Sequence, residues 1–299
     1  MPGVALLLGA GGFLGGHIAG ALRGAGWTVR AAPRGDLSTL PPDAWDDLLG
    51  GAGAVINAAG RTAGTLPELT RANVLLPALL LDAAGRAGTR MVHLASAAEY
   101  GRTPEGHAAR EDDPCTPLSP YGATKLAGTL LLEEAVRAGR VDAVALRLTN
   151  PLGAGMNAGS LPGRAARELA QTAREGGQSV KFGPLGALRD FVDARDVARA
   201  VLHTLPGELG DGLRGTVNVG SGEARPVRDL VTELTRLTGF GGVVHEDAPG
   251  SPRSGDVPYQ RADVSRLTAS GFQPHFTFTD SLQALLASPT TVSLPQKEF

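Results

Sequence analysis

The sequence predicts an α/β protein in which helices cover both faces of a doubly wound parallel sheet, followed by a smaller C-terminal α/β region that binds substrate. Three observations lead to this prediction. Short, uniformly apolar runs recur along the first half of the chain, helical stretches separate them, and a glycine-rich loop follows the first run. Uniformly apolar runs are typical of strands buried on both faces. Strands that alternate with helices are typical of right-handed crossovers in a parallel sheet.

The elements follow in order along the chain. We predict strands at residues 4–8, 27–32, 54–58, 90–95 and 143–148, and a late strand near residue 217. Apolar periodicity predicts helices from the glycine loop to about residue 24 and over residues 68–87, 121–138, 163–175 and 225–238. Residues 1–150 are expected to form a dinucleotide-binding domain, with contributions from about 180–220. Residues 151–299 are expected to form mainly the substrate-binding region, with a disordered tail after about residue 288.

The composition excludes several classes of protein. The 299 residues carry a formal net charge of −2 and a pI of about 6.3, which argues against a nucleic-acid-binding protein. The single cysteine, Cys115, excludes an internal disulfide framework and is typical of a reducing compartment, so we expect a cytoplasmic protein. The apolar runs are too short to predict a membrane span. The histidines lack metal-ligand spacing, and we predict no metal site.

The loop GAGGFLG predicts a dinucleotide site. It places Gly9, Gly12 and Gly15 at the spacing G-x-x-G-x-x-G, directly after a strand and at the start of a helix. A loop without side chains lets the backbone approach a pyrophosphate, and the helix N-terminus offers N–H donors and a positive dipole end. A glycine-rich turn is the alternative, but the strand–loop–helix context favours a Rossmann-type nucleotide site.

The end of the second predicted strand bears on the choice of cofactor. A carboxylate there would bind the adenosine ribose hydroxyls and select NAD. Ala32 or Pro33 occupies that position instead, and Arg34 follows, which can clamp a 2′-phosphate. We therefore expect NADP, with NAD as the less favoured cofactor and a solvated loop charge as the alternative role of Arg34. Asp36 and Leu37 come later and are expected to meet the adenine.

The segment SPYGATKLAG predicts a catalytic pair. Lysine occurs only three times in the chain, yet Lys125 follows Tyr121 by one helical turn, so the two side chains share a face. A free tyrosine has a pKa of about 10, and a neighbouring ammonium lowers that pKa because it stabilises the phenolate. Lys125 is also placed to hold a cofactor ribose. Ser96, at the end of the fourth predicted strand, is expected to hold the substrate oxygen; a strand-end cap and a buried helix-start tyrosine are the structural alternatives.

Over nearly its whole length the chain resembles the extended branch of the short-chain dehydrogenase/reductase superfamily, which contains nucleotide-sugar epimerases, dehydratases and reductases. GAGGFLG, with Phe13 and Leu14, is similar to that family's cofactor loop. SAAEYG is similar to its catalytic Ser/Thr segment, and YGATK to its Tyr-x-x-x-Lys motif. The resemblance implies further cofactor contacts from two loops and a helix: Ala58, Ala59 and Gly60 in INAAG, Asn73 in RANVLLP, and Asn150 and Pro151 in LRLTNPLGAG.

Two C-terminal segments resemble the parts of this family that bind substrate. VKFGPLGALRDFVDARDVARA resembles the segment that holds the nucleotide base, which implicates Arg189. PRSGDVPYQRADVSRL resembles the segment whose arginine before Gly-Asp binds the substrate diphosphate, which implicates Arg253. Ser96, Ala97 and Asn150 are implied as further substrate contacts. Ordinary surface or interdomain ion pairs are the alternative for both arginines.

The residues after Ser96 bear on the reaction. Sugar dehydratases of this branch carry an Asp-Glu pair there for proton transfer, whereas this chain has Ala97 and Ala98, and Glu99 is out of register. A ketoreductase or an epimerase remains. We favour an NADPH-dependent ketoreductase that acts on the 4-keto group of a nucleoside-diphosphate sugar, with Tyr121 as the acid. The reasons are Arg34, the length of only 299 residues and the resemblance to 4-keto-sugar reductases.

Three alternatives stay open at this point. The first is an NAD-dependent nucleotide-sugar 4-epimerase, and the second is an NADPH-dependent ketoreductase of an aromatic or polyketide natural product, for which Arg253 would be dispensable. The third is a non-catalytic NADP-binding sensor, which the presence of both Tyr121 and Lys125 disfavours. The resemblance also implies a small-molecule substrate and a possible homodimer through helices 68–87 and 121–138. We expect neither nucleic acid nor a membrane as a partner.

Overall fold

A computed structural model describes residues 3–249 and 257–287 of the chain. Its strands are β1 (Val4–Leu8), β2 (Thr28–Ala31), β3 (Ala52–Asn57), β4 (Arg90–Ser96), β5 (Ala143–Leu148), β6 (Asn150–Leu152), β7 (Ser179–Lys181), β8 (Leu188–Asp193), β9 (Gly215–Val219), β10 (Ala224–Pro226) and β11 (Val243–His245). Six of them form the main sheet in the order β2-β1-β3-β4-β5-β9, and every pairing in it is parallel.

The helices are α1 (Phe13–Gly24), α2 (Pro42–Leu49), α3 (Leu66–Thr70), α4 (Leu76–Ala87), α5 (Pro120–Arg137), α6 (Leu161–Glu175), α7 (Ala194–His203), α8 (Val227–Thr238), α9 (Ser265–Ala269) and α10 (Phe278–Ala287). On one face of the main sheet, Leu22 of α1 and Val201 of α7 belong to the buried core. On the other face, helices α2, α4 and α5 contribute Trp45, Leu80 and Leu132 to a second buried core. This parallel sheet with a helical layer on each face confirms the predicted fold class.

The second half of the chain adds a smaller set of elements to this sheet. A three-stranded sheet has the order β10-β8-β6, and a two-stranded sheet pairs β11 with β7. Helices α6, α8 and α10 pack with them around a separate core that includes Leu169, Phe182, Leu230 and Leu282. Strand β9 comes from the same half of the chain but joins the main sheet beside β5.

Two predicted helices differ in detail from the observed ones. The helix predicted over residues 225–238 begins at Val227, because residues 224–226 pair antiparallel with β8. The stretch predicted as residues 68–87 consists of α3, a π-helical turn at Arg71–Leu75 and α4. Pro77 lies in the first turn of α4 and has no N–H to donate, and directly before it the Leu76 N–H donates to the carbonyl oxygen of Arg71, five residues back, as in a π-helix.

Among the described residues, none of the helices is long and apolar enough to cross a membrane. The same part of the chain contains no cluster of three or more His, Cys, Asp or Glu side chains that could hold a metal ion.

Candidate active site

The predicted site residues lie along one edge of the main sheet, where its strands end. The glycine loop follows β1, residues 58–60 follow β3, Ser96 ends β4, and Asn150 comes two residues after β5. The strand order turns back at β1, because β2 lies on one side of it and β3 on the other. Open α/β sheets bind ligands in the crevice that forms outside the strand ends at such a point.

The glycine loop brings the backbone of β1, α1 and the loop after β3 into close approach. A Cβ on Gly9 would lie 2.7 Å from the carbonyl carbon of Ala58, and one on Gly15 would lie 1.9 Å from the carbonyl oxygen of Gly9. Gly9 also has a φ of 77°, which favours glycine. Gly12 at the N-cap of α1 has no side chain to compete for the first-turn N–H groups. This cradle fits a dinucleotide pyrophosphate.

We expect Gly15→Ala to lower the melting temperature and to weaken binding of the cofactor. Its methyl group would overlap the carbonyl oxygen of Gly9, and overpacking of this kind costs about 1–3 kcal/mol. Gly16→Ala is the matched control, because a Cβ there would meet no described atom within 4 Å. Since alanine is favoured over glycine inside a helix, the control should be slightly more stable than the wild type. Equal losses in thermal melts of the two variants would contradict this account.

Asn73 holds the loop after β3 in place. Its Oδ1 accepts a hydrogen bond from the Arg61 backbone N–H at 3.0 Å, and its Nδ2 donates to the Arg61 carbonyl oxygen at 2.9 Å and to Thr124 Oγ1 at 3.1 Å. The residue is 1% exposed. The structure therefore gives Asn73 a positioning role between this loop and α5, while a direct contact with the cofactor stays a prediction.

The loop after β2 carries the residues predicted to select the cofactor. Arg34 is exposed, and in the described part of the chain no carboxylate forms an ion pair with it. Asp36 accepts hydrogen bonds from Ser38 Oγ at 2.5 Å and Ser38 N at 3.0 Å, and pairs with Arg71 at 3.3 Å, all of which hold the pKa of Asp36 below its usual value. Leu37 is buried in the core, so its contact with adenine stays a prediction.

Ser96 and Tyr121 lie on two elements that approach closely. Ser96 ends β4 and caps a short 3₁₀ turn, where its Oγ accepts a hydrogen bond from the Ala98 N–H at 3.2 Å. Tyr121 is half-buried in the first turn of α5. Gly122 permits the approach, because a Cβ there would lie 2.5 Å from the carbonyl oxygen of Ala98. The start of α5 is thus held directly against the turn that follows Ser96.

Lys125 lies one turn further along α5 and is 4% exposed. Its Nζ donates a hydrogen bond to the carbonyl oxygen of Leu94 at 2.5 Å. Burial lowers the pKa of Lys125 to about 8, although the charge of Glu99 acts in the opposite direction. Lys125 is therefore placed beneath Tyr121 in a setting that weakens its hold on its proton.

Two polar residues that were not predicted from the sequence lie beneath this lysine. His93 Nε2 lies 3.3 Å from Lys125 Nζ, and His93 Nδ1 lies 3.1 Å from Asn57 Nδ2. Both residues interrupt apolar strands, in the segments AVINA and RMVHLA, and that interruption is the signal by which the sequence could have revealed them. A polar side chain inside a buried strand needs a hydrogen-bond partner. Here Asn57 contacts His93, and His93 contacts Lys125.

Glu99 is fully buried and points into the protein. Its Oε2 accepts a hydrogen bond from Arg147 Nε at 2.9 Å, and its Oε1 accepts from Thr129 Oγ1 at 3.1 Å and from Ser96 N at 2.9 Å. Arg147 also lies over the ring of Tyr100, 4.5 Å from its centroid. Both oxygens of the carboxylate therefore accept hydrogen bonds within the protein core and have a structural role. This agrees with the expectation that Glu99 is out of register for proton transfer.

Two of the residues predicted to bind substrate, Asn150 and Arg189, lie on β6 and β8. Asn150 Nδ2 donates hydrogen bonds to the carbonyl oxygen of Asp190 at 2.8 Å and to Gln260 Oε1 at 2.7 Å; Gln260 is a further residue that sequence analysis missed. Arg189 Nη1 donates to the carbonyl oxygen of Leu188 at 2.8 Å, and burial lowers the pKa of its guanidinium. Arg253 lies outside the described residues.

Asp190 joins three stretches of chain behind these residues. Its side chain is fully buried and accepts hydrogen bonds from the backbone N–H groups of Ser221 at 2.7 Å, Gly222 at 3.2 Å and Ala262 at 3.1 Å. The Ser221 hydroxyl donates to the same carboxylate at 2.8 Å. Strand β8, the loop after β9 and the segment before α9 therefore meet at one carboxylate.

The sheet, the glycine loop and the Ser96–Tyr121–Lys125 set together define a dinucleotide-binding oxidoreductase fold. The model of the NAD dependent epimerase/dehydratase family matches residues 5–220. The chain therefore belongs to that family, the extended branch of the short-chain dehydrogenases/reductases, and is an NAD(P)-dependent enzyme.

Individual relatives agree with this assignment. The dTDP-6-deoxy-L-talose 4-dehydrogenase (NAD(P)(+)) of Kitasatospora kifunensis is 36% identical over 243 residues, which span 79% of this chain and 75% of the relative. MoeE5 in complex with UDP-glucose and NAD is 30% identical, with a TM-score of 0.79 over 95% of this chain and 97% of that one. RMD from Pseudomonas aeruginosa complexed with NADPH is 27% identical, with a TM-score of 0.81 over 94% and 97% of the two chains.

Proposed function

We propose that this protein is an NADPH-dependent ketoreductase that reduces the 4-keto group of a nucleoside-diphosphate sugar. The observation that carries the proposal is the turn after Ser96, where Ala97 and Ala98 have no proton to transfer and Glu99 is bound to Arg147. Among the described residues after Ser96 and at the start of α5, Tyr121 is the one placed to act as an acid, and a single acid is what the reduction of a carbonyl requires.

The relatives support a reaction at C4 of a sugar nucleotide. The relative from Kitasatospora kifunensis is named as a 4-dehydrogenase of a dTDP-6-deoxy sugar, and such an oxidation is the reverse of the reduction of a 4-keto group. MoeE5 binds UDP-glucose, and RMD binds NADPH. We infer that this chain acts on a substrate of the same chemical class.

The residues of the site divide the work of the reduction. The nicotinamide, when bound, supplies the hydride that reduces the carbonyl carbon. Ser96 orients the carbonyl oxygen, and Tyr121 gives its phenolic proton to that oxygen as negative charge develops there. Lys125 stabilises the phenolate that remains and holds the cofactor ribose. The proton lost by Tyr121 is then replaced from solvent.

Two arginines would anchor the part of the substrate remote from the reacting carbon. Arg189 is half-buried on β8, and its Nη1 donates to the backbone, at the Leu188 carbonyl oxygen; a phosphate or base bound there would be partly removed from water. Arg253 would bind the diphosphate. Binding energy from these remote contacts aligns the 4-keto group with the cofactor.

We expect calorimetry to show that the wild type binds NADPH more tightly than NADH and that Arg34→Ala removes this preference. The reason is that a guanidinium can make charge-assisted hydrogen bonds to a 2′-phosphate, which NADH lacks. Loss of one such contact should weaken NADPH binding by on the order of 10-fold. Arg30→Ala is a control for the loss of a nearby positive charge. The Arg30 guanidinium donates to the carbonyl oxygens of Leu48 and Gly50, so it is engaged with the protein's own backbone. Tighter binding of NADH that is indifferent to Arg34 would contradict the cofactor assignment.

The reaction itself is tested with a dTDP-4-keto-6-deoxy sugar and NADPH. We expect one NADPH to be consumed per sugar reduced, with a 4-hydroxy product identified by NMR. An aromatic ketone offered in parallel tests the alternative substrate class. Reduction of the aromatic ketone alone would overturn the assignment of a sugar nucleotide.

A nucleotide-sugar 4-epimerase is the second candidate. It is favoured by the description of the matching family and by the neighbour that holds NAD with UDP-glucose. An epimerase returns its hydride to the substrate, so interconversion of UDP-glucose and UDP-galactose without net change in absorbance of the cofactor would identify it.

The homodimer stays a prediction. Leu75 before α4 and Leu130 and Leu131 on α5 are exposed, so these helices present apolar side chains on the predicted contact surface. The molar mass in solution tests it.

A further inference from the structure

A buried polar chain runs from β3 through β4 to the catalytic helix. It consists of Asn57, His93 and Lys125, which are 0%, 1% and 4% exposed. Nδ2 of Asn57 lies 3.1 Å from Nδ1 of His93, and Nε2 of His93 lies 3.3 Å from Nζ of Lys125. Because water does not reach these groups, each must find its hydrogen-bond partner within the chain.

The amide of Asn57 fixes the direction of these hydrogen bonds. Its Oδ1 accepts a hydrogen bond from the Ala59 backbone N–H at 3.1 Å, so its NH₂ group is the one that faces His93. Nδ1 of His93 must then act as an acceptor. A neutral imidazole with an acceptor at Nδ1 carries its proton on Nε2.

That proton points towards Lys125. An ammonium has three donors and no acceptor, so Nε2–H and a charged Nζ would face each other as two donors. An uncharged amine has a lone pair that can accept from Nε2–H, and it still donates to the Leu94 carbonyl oxygen at 2.5 Å. The hydrogen-bond pattern is therefore satisfied when Lys125 is a neutral amine.

The titratable groups around Lys125 are consistent with this state. Burial is the larger cause that lowers the pKa of His93 well below its usual value, and the charge of Lys125, when that residue is protonated, lowers it further, so His93 stays neutral in either state of Lys125. Burial lowers the pKa of Lys125 to about 8. From the turn after β4, Glu99 favours the ammonium, but its carboxylate is bound by Arg147 of β5. Tyr121 lies one turn earlier on α5 itself.

We propose that His93, supported by Asn57, is a positioning residue that holds Lys125 as an uncharged amine in the cofactor-free protein at alkaline pH, and that binding of the nicotinamide nucleotide there is accompanied by uptake of a proton at Lys125 Nζ. The proton comes from solvent, and no other bond forms or breaks. This inference rests on the role that the proposed function gives Lys125: ribose hydroxyls and the phenolic oxygen of Tyr121 accept hydrogen bonds from an ammonium and thereby favour it.

The experiment measures proton uptake when NADPH binds to the whole protein. Titration calorimetry at about pH 9, in two buffers of different ionisation enthalpy, reports the number of protons taken up, and at that pH the phosphates of the cofactor are already ionised. We expect the wild type to take up on the order of one proton, because most of a group with a pKa of about 8 is unprotonated there.

Two variants test whether His93 and Lys125 cause this uptake. Lys125→Met should abolish it, since the titrating amine is gone. His93→Gln should reduce it, because the amide oxygen can accept a hydrogen bond from the ammonium and so stabilises the charged form in the free protein, although burial still acts on Lys125. His203→Gln is the matched control: His203 contacts Ser270 Oγ at 2.9 Å, away from the site, and its variant should behave as the wild type.

A second measurement does not need the cofactor. In the ¹⁵N spectrum of the free protein, His93, identified among six histidines by the His93→Gln variant, should show an unprotonated Nδ1 and a protonated Nε2. A protonated Nδ1, or proton uptake by His93→Gln equal to that of the wild type, would overturn the inference. If neither nicotinamide nucleotide binds, the proposed function fails, and the tautomer alone decides the state of His93.

Discussion

Replacing Tyr121 by Phe is expected to abolish measurable turnover while the protein still binds its cofactor. The substitution removes one oxygen atom, and with it the group that we propose as the acid for the developing alkoxide. General acid catalysis contributes about 10²–10⁴-fold to a rate, so kcat should fall by a factor in that range. The ring keeps its place in the first turn of α5, so the affinity for NADPH, measured by calorimetry, should change little.

Tyr100→Phe separates this effect from the general effect of removing a tyrosine hydroxyl. The Tyr100 hydroxyl donates to Asn218 Oδ1 at 2.7 Å, and burial raises the pKa of Tyr100 to about 12. The Tyr100 hydroxyl has a structural role, so its loss should lower the melting temperature, while kcat should stay close to the wild-type value. Turnover of Tyr121→Phe equal to that of the wild type would falsify the assignment of Tyr121 as the acid.

Glu99→Ala is expected to cause the largest loss of stability of any single change considered for this chain. It would leave the guanidinium of Arg147, which is 2% exposed, buried without its carboxylate. It would also remove the acceptor of the Ser96 N–H and the Thr129 hydroxyl. Breaking a buried pair by removing one partner costs about 3–5 kcal/mol, and in a protein of this size the melting temperature should fall by on the order of 10 °C.

Two further variants identify the cause of that loss. Glu134→Ala removes an exposed glutamate that pairs with Arg140, and it should leave the melting temperature nearly unchanged, because exposed pairs contribute little. Combining Glu99→Ala with Arg147→Met removes the unpaired charge and should recover part of the stability. A double variant less stable than Glu99→Ala would show that the cost does not come from the uncompensated guanidinium.

The layout of the main sheet could be predicted because its strands are apolar along their whole length. Residues 4–8 and 143–148 were predicted with the bounds that the structure shows, and the glycine loop marked the turn from β1 into α1. Of the three-residue strands, β6, β10 and β11 could not be predicted in this way. They are too short to show a period, and their pairing partners are distant in the chain.

The candidate site was predictable where a motif is local and unpredictable where contacts are long-range. Tyr121 and Lys125 stand one turn apart, so their common face follows from helix geometry. His93 and Lys125 are separated by 32 residues and meet only because β4 lies beneath α5. The commitment of Glu99 to Arg147, 48 residues away, likewise depends on the packing of β5 beside β4.

The carboxylate of Asp190 has a consequence for attempts to exchange parts between this enzyme and its relatives. Backbone N–H groups at residues 221, 222 and 262 all donate hydrogen bonds to that one side chain, so the segments that we predict to shape the substrate region are linked across more than 70 positions of chain. A chimaera with a junction between β8 and α9 would take the Asp190 carboxylate from one protein and the loops that donate to it from another. Transferring residues 188–263 as one block would preserve the hydrogen bonds to Asp190, and we expect this block to be the smallest segment suited to exchanging substrate specificity.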